Sequence, residues 1–184
     1  MTNAERILRV LDSKLTADVE LTLYGRAALV LGFPEPPEES AFSHDVDAVL
    51  WMGQAEALSE QTNFWQAVEA LNDELSEDGL YMSHFFSEDQ VILRGCWREE
   101  RVAIPGQWQK LALTRLADPD LLLSKLMRDD PIDRADALFI VARGGLVRAD
   151  VEKALSEARV PDVPEIRDQF KIASEKLLTA LSAG

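Results

Sequence analysis

A chain of 184 residues and 20.5 kDa that is 47% apolar can bury one ordinary hydrophobic core, which excludes wholesale disorder. Its 33 acids against 19 bases give a formal charge of -14. That weighs against nucleic-acid binding by diffuse attraction, which rests on Lys and Arg neutralising phosphates. No apolar run approaches the ~20 residues of a bilayer span, and a single cysteine, Cys96, excludes an internal disulfide framework and any Cys-based metal cluster.

The opening MTNAERILRV has no signal-peptide character, so the expectation is a soluble protein of a reducing cytoplasm with no membrane partner. Residues 4 to 15 predict a first helix behind Asn3 as cap, with Ile7, Leu8, Val10, Leu11 and Leu15 on one face. VELTL (19 to 23) alternates as a strand, ends at Tyr24-Gly25, and leads into a short apolar helix that runs to Gly32. FPEPPEES, with three prolines, is a surface loop, and DVDAVLW (45 to 51) is a second strand. A single helix is expected over 55 to 75, with Leu58, Trp65, Val68 and Leu71 as its buried stripe.

Short strands follow at 80 to 86, 91 to 93, 101 to 104 and 110 to 116. From Asp118, a cap followed by Pro119, the pattern is helical only: 118 to 128, 133 to 143 (closed by Gly144-Gly145), 148 to 158 and 165 to 182. The order predicts an α/β or α+β fold, a mixed sheet flanked by helices with a helical C-terminal third. The expected division is an α/β core over 1 to 117 and a helical subdomain over 118 to 184.

Charge is unevenly placed. From Ala27 through Leu93 there are 14 acids and no Lys or Arg, so this stretch carries the whole net charge. Between Arg94 and Arg128 seven bases face four acids. Either a solvated acidic face keeps the chain soluble, or an acidic cation-holding part is set against a basic anion-holding part.

Three groups of residues could do chemistry. On a strand, Asp45 and Asp47 share a face roughly 7 Å apart at Cα. Their charges, ~5 Å apart at an effective dielectric of ~20, repel by about 3 kcal/mol unless a cation or donor relieves them. Hard oxygen ligands of this kind suit Mg²⁺ or Mn²⁺. With 16 Asp, composition alone yields about 1.4 Asp-x-Asp pairs, so the weight lies in the placement within an apolar strand, where Asp is disfavoured. The other such pair, Asp118 and Asp120, is accounted for by a helix start. The second group is Tyr24-Gly25-Arg26, a strand-to-helix turn whose N–H groups can face phosphate. The third is Lys125, interrupting an apolar run, with Asp133 and Asp136 on one face of the next helix, where they could hold an Arg or Lys. His44 and His84 lack zinc spacing, and phosphate-loop and Gly-x-Ser-x-Gly motifs are absent.

In this order, LTLYGRAALVLGF followed by SHDVDAVL resembles the opening of the nucleotidyltransferase fold of the DNA polymerase beta superfamily. LADPDLLLSKLMRDDPIDRADALFIVARGGL resembles the later segment of bacterial toxin–antitoxin nucleotidyltransferases of the AbiEii and MenA group. The resemblance covers roughly residues 19 to 155. It implies a nucleoside triphosphate as substrate and Mg²⁺ or Mn²⁺ as cofactor, with nucleotidyl transfer to a protein or RNA hydroxyl. Asp45 and Asp47 would hold metal and, with Lys125, act in catalysis. Gly25, Arg26, Ser43 and Lys125 would bind nucleotide, supported by Asp133 and Asp136. Two positions depart from the family pattern: Arg26 stands where a small residue is usual, and the strand at 110 to 116 carries no third carboxylate. The alternative is a catalytically degenerate binding module that engages a basic protein partner, with tRNA the less favoured ligand.

Overall fold

The computed structural model describes residues 1–182, which fall into two units, one formed by 1–87 with 102–115 and the other by 88–101 with the chain from 116 onward. Residues 88–101, expected in the α/β core, fall in the second unit, which resumes at Leu116. Among the described residues no helix is long and apolar enough to cross a membrane.

In the first unit, α1 (Asn3–Lys14) is capped by the Thr2 hydroxyl, which accepts the Glu5 N–H at 3.2 Å. The cap lies one residue before the expected Asn3, because Thr2 is still extended (φ -78, ψ 164) and Asn3 is already helical. Asp12, near the end of α1, accepts the backbone N–H groups of Gln109 (2.8 Å), Lys110 (2.7 Å) and Leu111 (2.9 Å). Burial pushes the Asp12 carboxyl up, but those three bonds and the charge of Arg9 outweigh it and hold the group below its ordinary value.

β1 (Val19–Tyr24) runs through Gly25 into α2 (Gly25–Gly32), and β2 (Asp45–Leu50) follows the proline-rich loop. The single helix expected over 55 to 75 is two, α3 (Met52–Ser59) and α4 (Thr62–Leu75). Gln61 leaves the helical region (φ -85, ψ 82), and the Trp65 indole N–H bonds the Leu58 carbonyl at 2.9 Å across the break. The buried stripe of α4 is therefore Phe64, Ala67, Val68, Leu71 and Leu75, while Trp65 is 38% exposed.

β3 (Tyr81–Ser87), β4 (Leu93–Arg94), β5 (Val102–Ala103) and β6 (Leu111–Arg115) come next. The five-stranded sheet has the order β3-β2-β1-β6-β5. β1 is antiparallel to β2 and parallel to β6, β3 is parallel to β2, and β5 is antiparallel to β6. The class is mixed α/β, as the alternation of strand and helix predicts. α1, α2 and α4 pack on the sheet face of Leu21, Leu23 and Ala48, all fully buried, and the Phe64 ring meets Phe85 edge-on at 5.3 Å. Thr22 and Thr114 bond each other at 3.0 Å on the opposite face.

In the second unit, α5 (Asp118–Lys125) is a short helix whose residues from Asp120 to Lys125 are all buried. It packs on α6 (Pro131–Arg143) and α7 (Arg148–Glu157), and α8 (Pro164–Ser182) packs on both α6 and α7. Ala117, not Asp118, occupies the cap position of α5. Asp120 has a different task from capping. Its carboxylate, with no solvent exposure, accepts the Arg94 backbone N–H (2.8 Å) and Arg94 Nη2 (2.7 Å). This pair joins residues 88–101 to the helical unit, and a strand not foreseen, β7 (Ala158–Arg159), pairs with β4.

Candidate functional site

The strand register builds the site. Tyr24, Asp47 and His84 are partners across β1, β2 and β3, so their side chains leave the same face of the sheet, while Leu23, Ala48 and Phe85 form the next row on the other face. Asp45 shares the face of Asp47 by the two-residue strand period. The result is a convergence of two carboxylates and an imidazole. His84 Nδ1 lies 3.0 Å from Asp47 Oδ1 and 3.8 Å from Asp45 Oδ2, and one ligand atom from each of the three residues falls within 4.8 Å of the others. Asp45 and Asp47 are half-buried and the His84 side chain is 45% exposed, so the ligand atoms remain reachable from solvent.

Each member is held. The Ser43 hydroxyl donates to Asp45 Oδ1 at 3.0 Å, leaving Oδ2 toward His84. The His84 ring leans on Phe86, with centroids 5.6 Å apart, and meets Tyr81 edge-on at 6.4 Å. Gly25 stands at φ 65, and a Cβ there would sit 2.9 Å from Asp47 Oδ2. Only glycine fits that approach, both for its left-handed backbone and for the space. The strand-to-helix turn is thereby set directly against the acidic pair. The first turn of α2 carries no acid. Arg26, partly exposed, has its guanidinium 3.7 Å from Glu39 Oε2.

Of the residues singled out from sequence, Gly25, Asp45, Asp47 and Ser43 come together, with Arg26 next in the chain after Gly25. Lys125, Asp133 and Asp136 form a separate cluster in the second unit. Lys125 Nζ is 2.7 Å from Asp136 Oδ2 and 3.2 Å from Asp133 Oδ1, and the Arg128 guanidinium bonds Asp133 at 2.9 Å. Lys125, Asp133 and Asp136 are each less than 10% exposed. The three-residue spacing of the two aspartates does hold a lysine, and that lysine is buried. The basic stretch from Arg94 to Arg128 changes character in the same way, since Arg94, Arg115 and Lys125 are all buried.

His84 is the residue that spacing rules missed. Three positions separate it from Tyr81, which in a regular strand places the two on opposite faces. The β2–β3 register shifts between Asp45 and Asp47, so that Asp45 faces Tyr81 and Asp47 faces His84. The extra residue in β3 turns both side chains to one side. A hollow elsewhere in the first unit, lined by Leu15, Asp18, Gln61 and Phe64 among others, contains none of these residues.

Comparison of the chain with protein-family models, with curated proteins and with solved structures found no match.

Chemically, the donor set fits a divalent cation. Two anionic oxygens supply charge, an imidazole nitrogen supplies a third ligand, and the 67-residue stretch from Ala27 to Leu93 that contains all three holds no Lys or Arg. When Nδ1 carries a proton, the same contact is a hydrogen bond that relieves the repulsion between Asp45 and Asp47.

Proposed function

We propose that this protein binds a divalent cation, Mg²⁺ or Mn²⁺, through Asp45 and Asp47, and a nucleoside triphosphate beside the Gly25 turn, for nucleotidyl transfer to a hydroxyl of a protein or RNA acceptor. The observation that carries the reading is the contact of Asp47 with Gly25. It sets a cation-holding pair beside the N-terminus of α2, the end of a helix that favours phosphate oxygens. A bound cation would neutralise phosphate charge at Asp45 and Asp47. Ser43 keeps Asp45 turned toward the site, and Arg26 adds positive charge at the start of α2. In the transfer, the acceptor oxygen forms a bond to the α-phosphorus, the bond to the bridging oxygen breaks, and pyrophosphate leaves. The acceptor's proton is released to solvent.

A second reading is a binding module of similar construction without turnover, serving for example as the partner of a basic protein in a defence or toxin–antitoxin pair in the cytoplasm. Its support is that β6 reads Leu-Ala-Leu-Thr-Arg and offers no carboxylate to the site. The buried ion pairing of Lys125 also leaves that ammonium committed to Asp133 and Asp136, so it is not assigned to phosphate here. The burial of Arg94, Arg115 and Lys125 narrows the basic surface for tRNA, which stays the less favoured partner.

Calorimetric titration with a panel of nucleoside triphosphates, with and without Mg²⁺ or Mn²⁺, tests the proposal. Metal-dependent binding that Asp45→Asn and Asp47→Asn abolish is the expected result. Pyrophosphate release with a labelled acceptor points to the enzyme, and binding without turnover points to the module. Triphosphate binding that is absent, or indifferent to metal, rejects both readings of the site.

A further inference from the structure

The extra residue in β3 has a dedicated partner. Asn72, on the inner side of α4, donates from Nδ2 to the Met82 carbonyl at 3.1 Å and accepts the Met82 N–H on Oδ1 at 2.8 Å. A side-chain amide thus takes both backbone groups of the residue that follows Tyr81, where the β2–β3 register is shifted. Met82 itself is fully buried toward α4, and the chain must then cross back to place His84 on the opposite face. Released from Asn72, β3 could return to a regular alternation, and that one-residue change would turn His84 away from Asp47.

We propose that His84 is the third ligand of the cation site, that Asn72 is its positioning residue, and that the site therefore prefers a first-row transition ion such as Mn²⁺ over Mg²⁺. The proposal rests on the reading of Asp45 and Asp47 as cation ligands and extends it to the class of ion. Imidazole nitrogen suits transition ions, whereas Mg²⁺ prefers oxygen and keeps several waters. The atom offered is Nδ1, the ring nitrogen that faces both carboxylates. Nothing in the sequence pattern distinguishes this imidazole from a solvated one. It is the Asn72 clamp that commits it to the site.

The test uses the full chain and Mn²⁺ followed by electron paramagnetic resonance, with Mg²⁺ as competitor, on wild type, His84→Ala, Asn72→Ala and Asn72→Asp. Wild type is expected to bind Mn²⁺ and to require a large excess of Mg²⁺ for displacement. His84→Ala is expected to weaken Mn²⁺ binding by roughly 10-fold to 100-fold, with little change for Mg²⁺. Asn72→Ala is expected to weaken Mn²⁺ by a similar factor. Asn72→Asp, which still accepts the Met82 N–H, is expected to lose less. With Co²⁺ in place of Mn²⁺, wild type should show a paramagnetically shifted imidazole proton resonance that both His84→Ala and Asn72→Ala lack; a folding role for Asn72 alone would not move it in a folded variant.

Mn²⁺ affinity unchanged in His84→Ala, or displacement by Mg²⁺ at equal concentration, overturns the inference while leaving the Asp45–Asp47 reading standing. Wild-type Mn²⁺ affinity with a shifted resonance of undiminished intensity in folded Asn72→Ala, or in Asn72→Leu should the alanine variant not fold, would overturn the positioning role. Absence of any Mn²⁺ or Mg²⁺ binding by wild type overturns both.

Discussion

At Gly25 two constraints act on one atom. Its φ of 65 is a region where a residue with a Cβ pays about 1–2 kcal/mol, and its missing Cβ leaves room for Asp47 Oδ2. Gly79 has the first constraint without the second, since φ is 66 and a Cβ there would meet nothing within 4 Å. The two glycines therefore separate backbone strain from site geometry. Gly25→Ala and Gly79→Ala are each expected to lower stability in urea by about 1 kcal/mol or somewhat more. Only Gly25→Ala should also weaken Mn²⁺ binding, because the new methyl displaces the Asp47 carboxylate. Equal metal affinity in the two variants would show that the turn does not shape the site.

At the level of elements, α5 and α6 are joined by a charge cluster as much as by apolar packing. Lys125, Asp133 and Asp136 are buried together, and Arg128 reaches Asp133 from the more exposed side. Removing one partner of such a cluster leaves an uncompensated charge in the interior. Lys125→Met is expected to cost roughly 3 kcal/mol or more, read as a shift of the denaturation midpoint with an unchanged slope. The double variant Lys125→Met with Asp136→Leu should recover part of the loss. A neutral Lys125→Met would mean that the ammonium is solvated.

The same elements show what a sequence can disclose. β1, the Gly25 turn, α2 and the Asp45–Asp47 pair were legible because each depends on residues within a few positions of one another. The α3–α4 break was not, because it turns on the Trp65 indole reaching back to the Leu58 carbonyl. His84 was hidden for a related reason. Its facing depends on one extra residue in β3, whose backbone is held by an asparagine ten positions earlier. Asp120, read as part of a helix start, proved to be the buried anchor of Arg94, a pairing across 26 positions that no local pattern records.

For the molecule as a whole, the chain passes between its two units three times, and each unit has its own means of closure. The first is tied by Asp12, which fixes the chain entering β6 to the end of α1. The second is tied by Arg94, whose guanidinium bonds both Asp120 and Glu100 and holds the Glu100 carboxyl below its ordinary value. The ligands assigned to the cation site, Asp45, Asp47 and His84, all belong to the first unit, on two adjacent parallel strands. The most direct measurement is anomalous diffraction from crystals of the full chain soaked in Mn²⁺. The account predicts an anomalous peak bonded to Asp45, Asp47 and His84 beside the Gly25 turn, lost in crystals of Asp47→Asn. No peak at these three residues at saturating Mn²⁺, or a peak that persists there in Asp47→Asn, would contradict it.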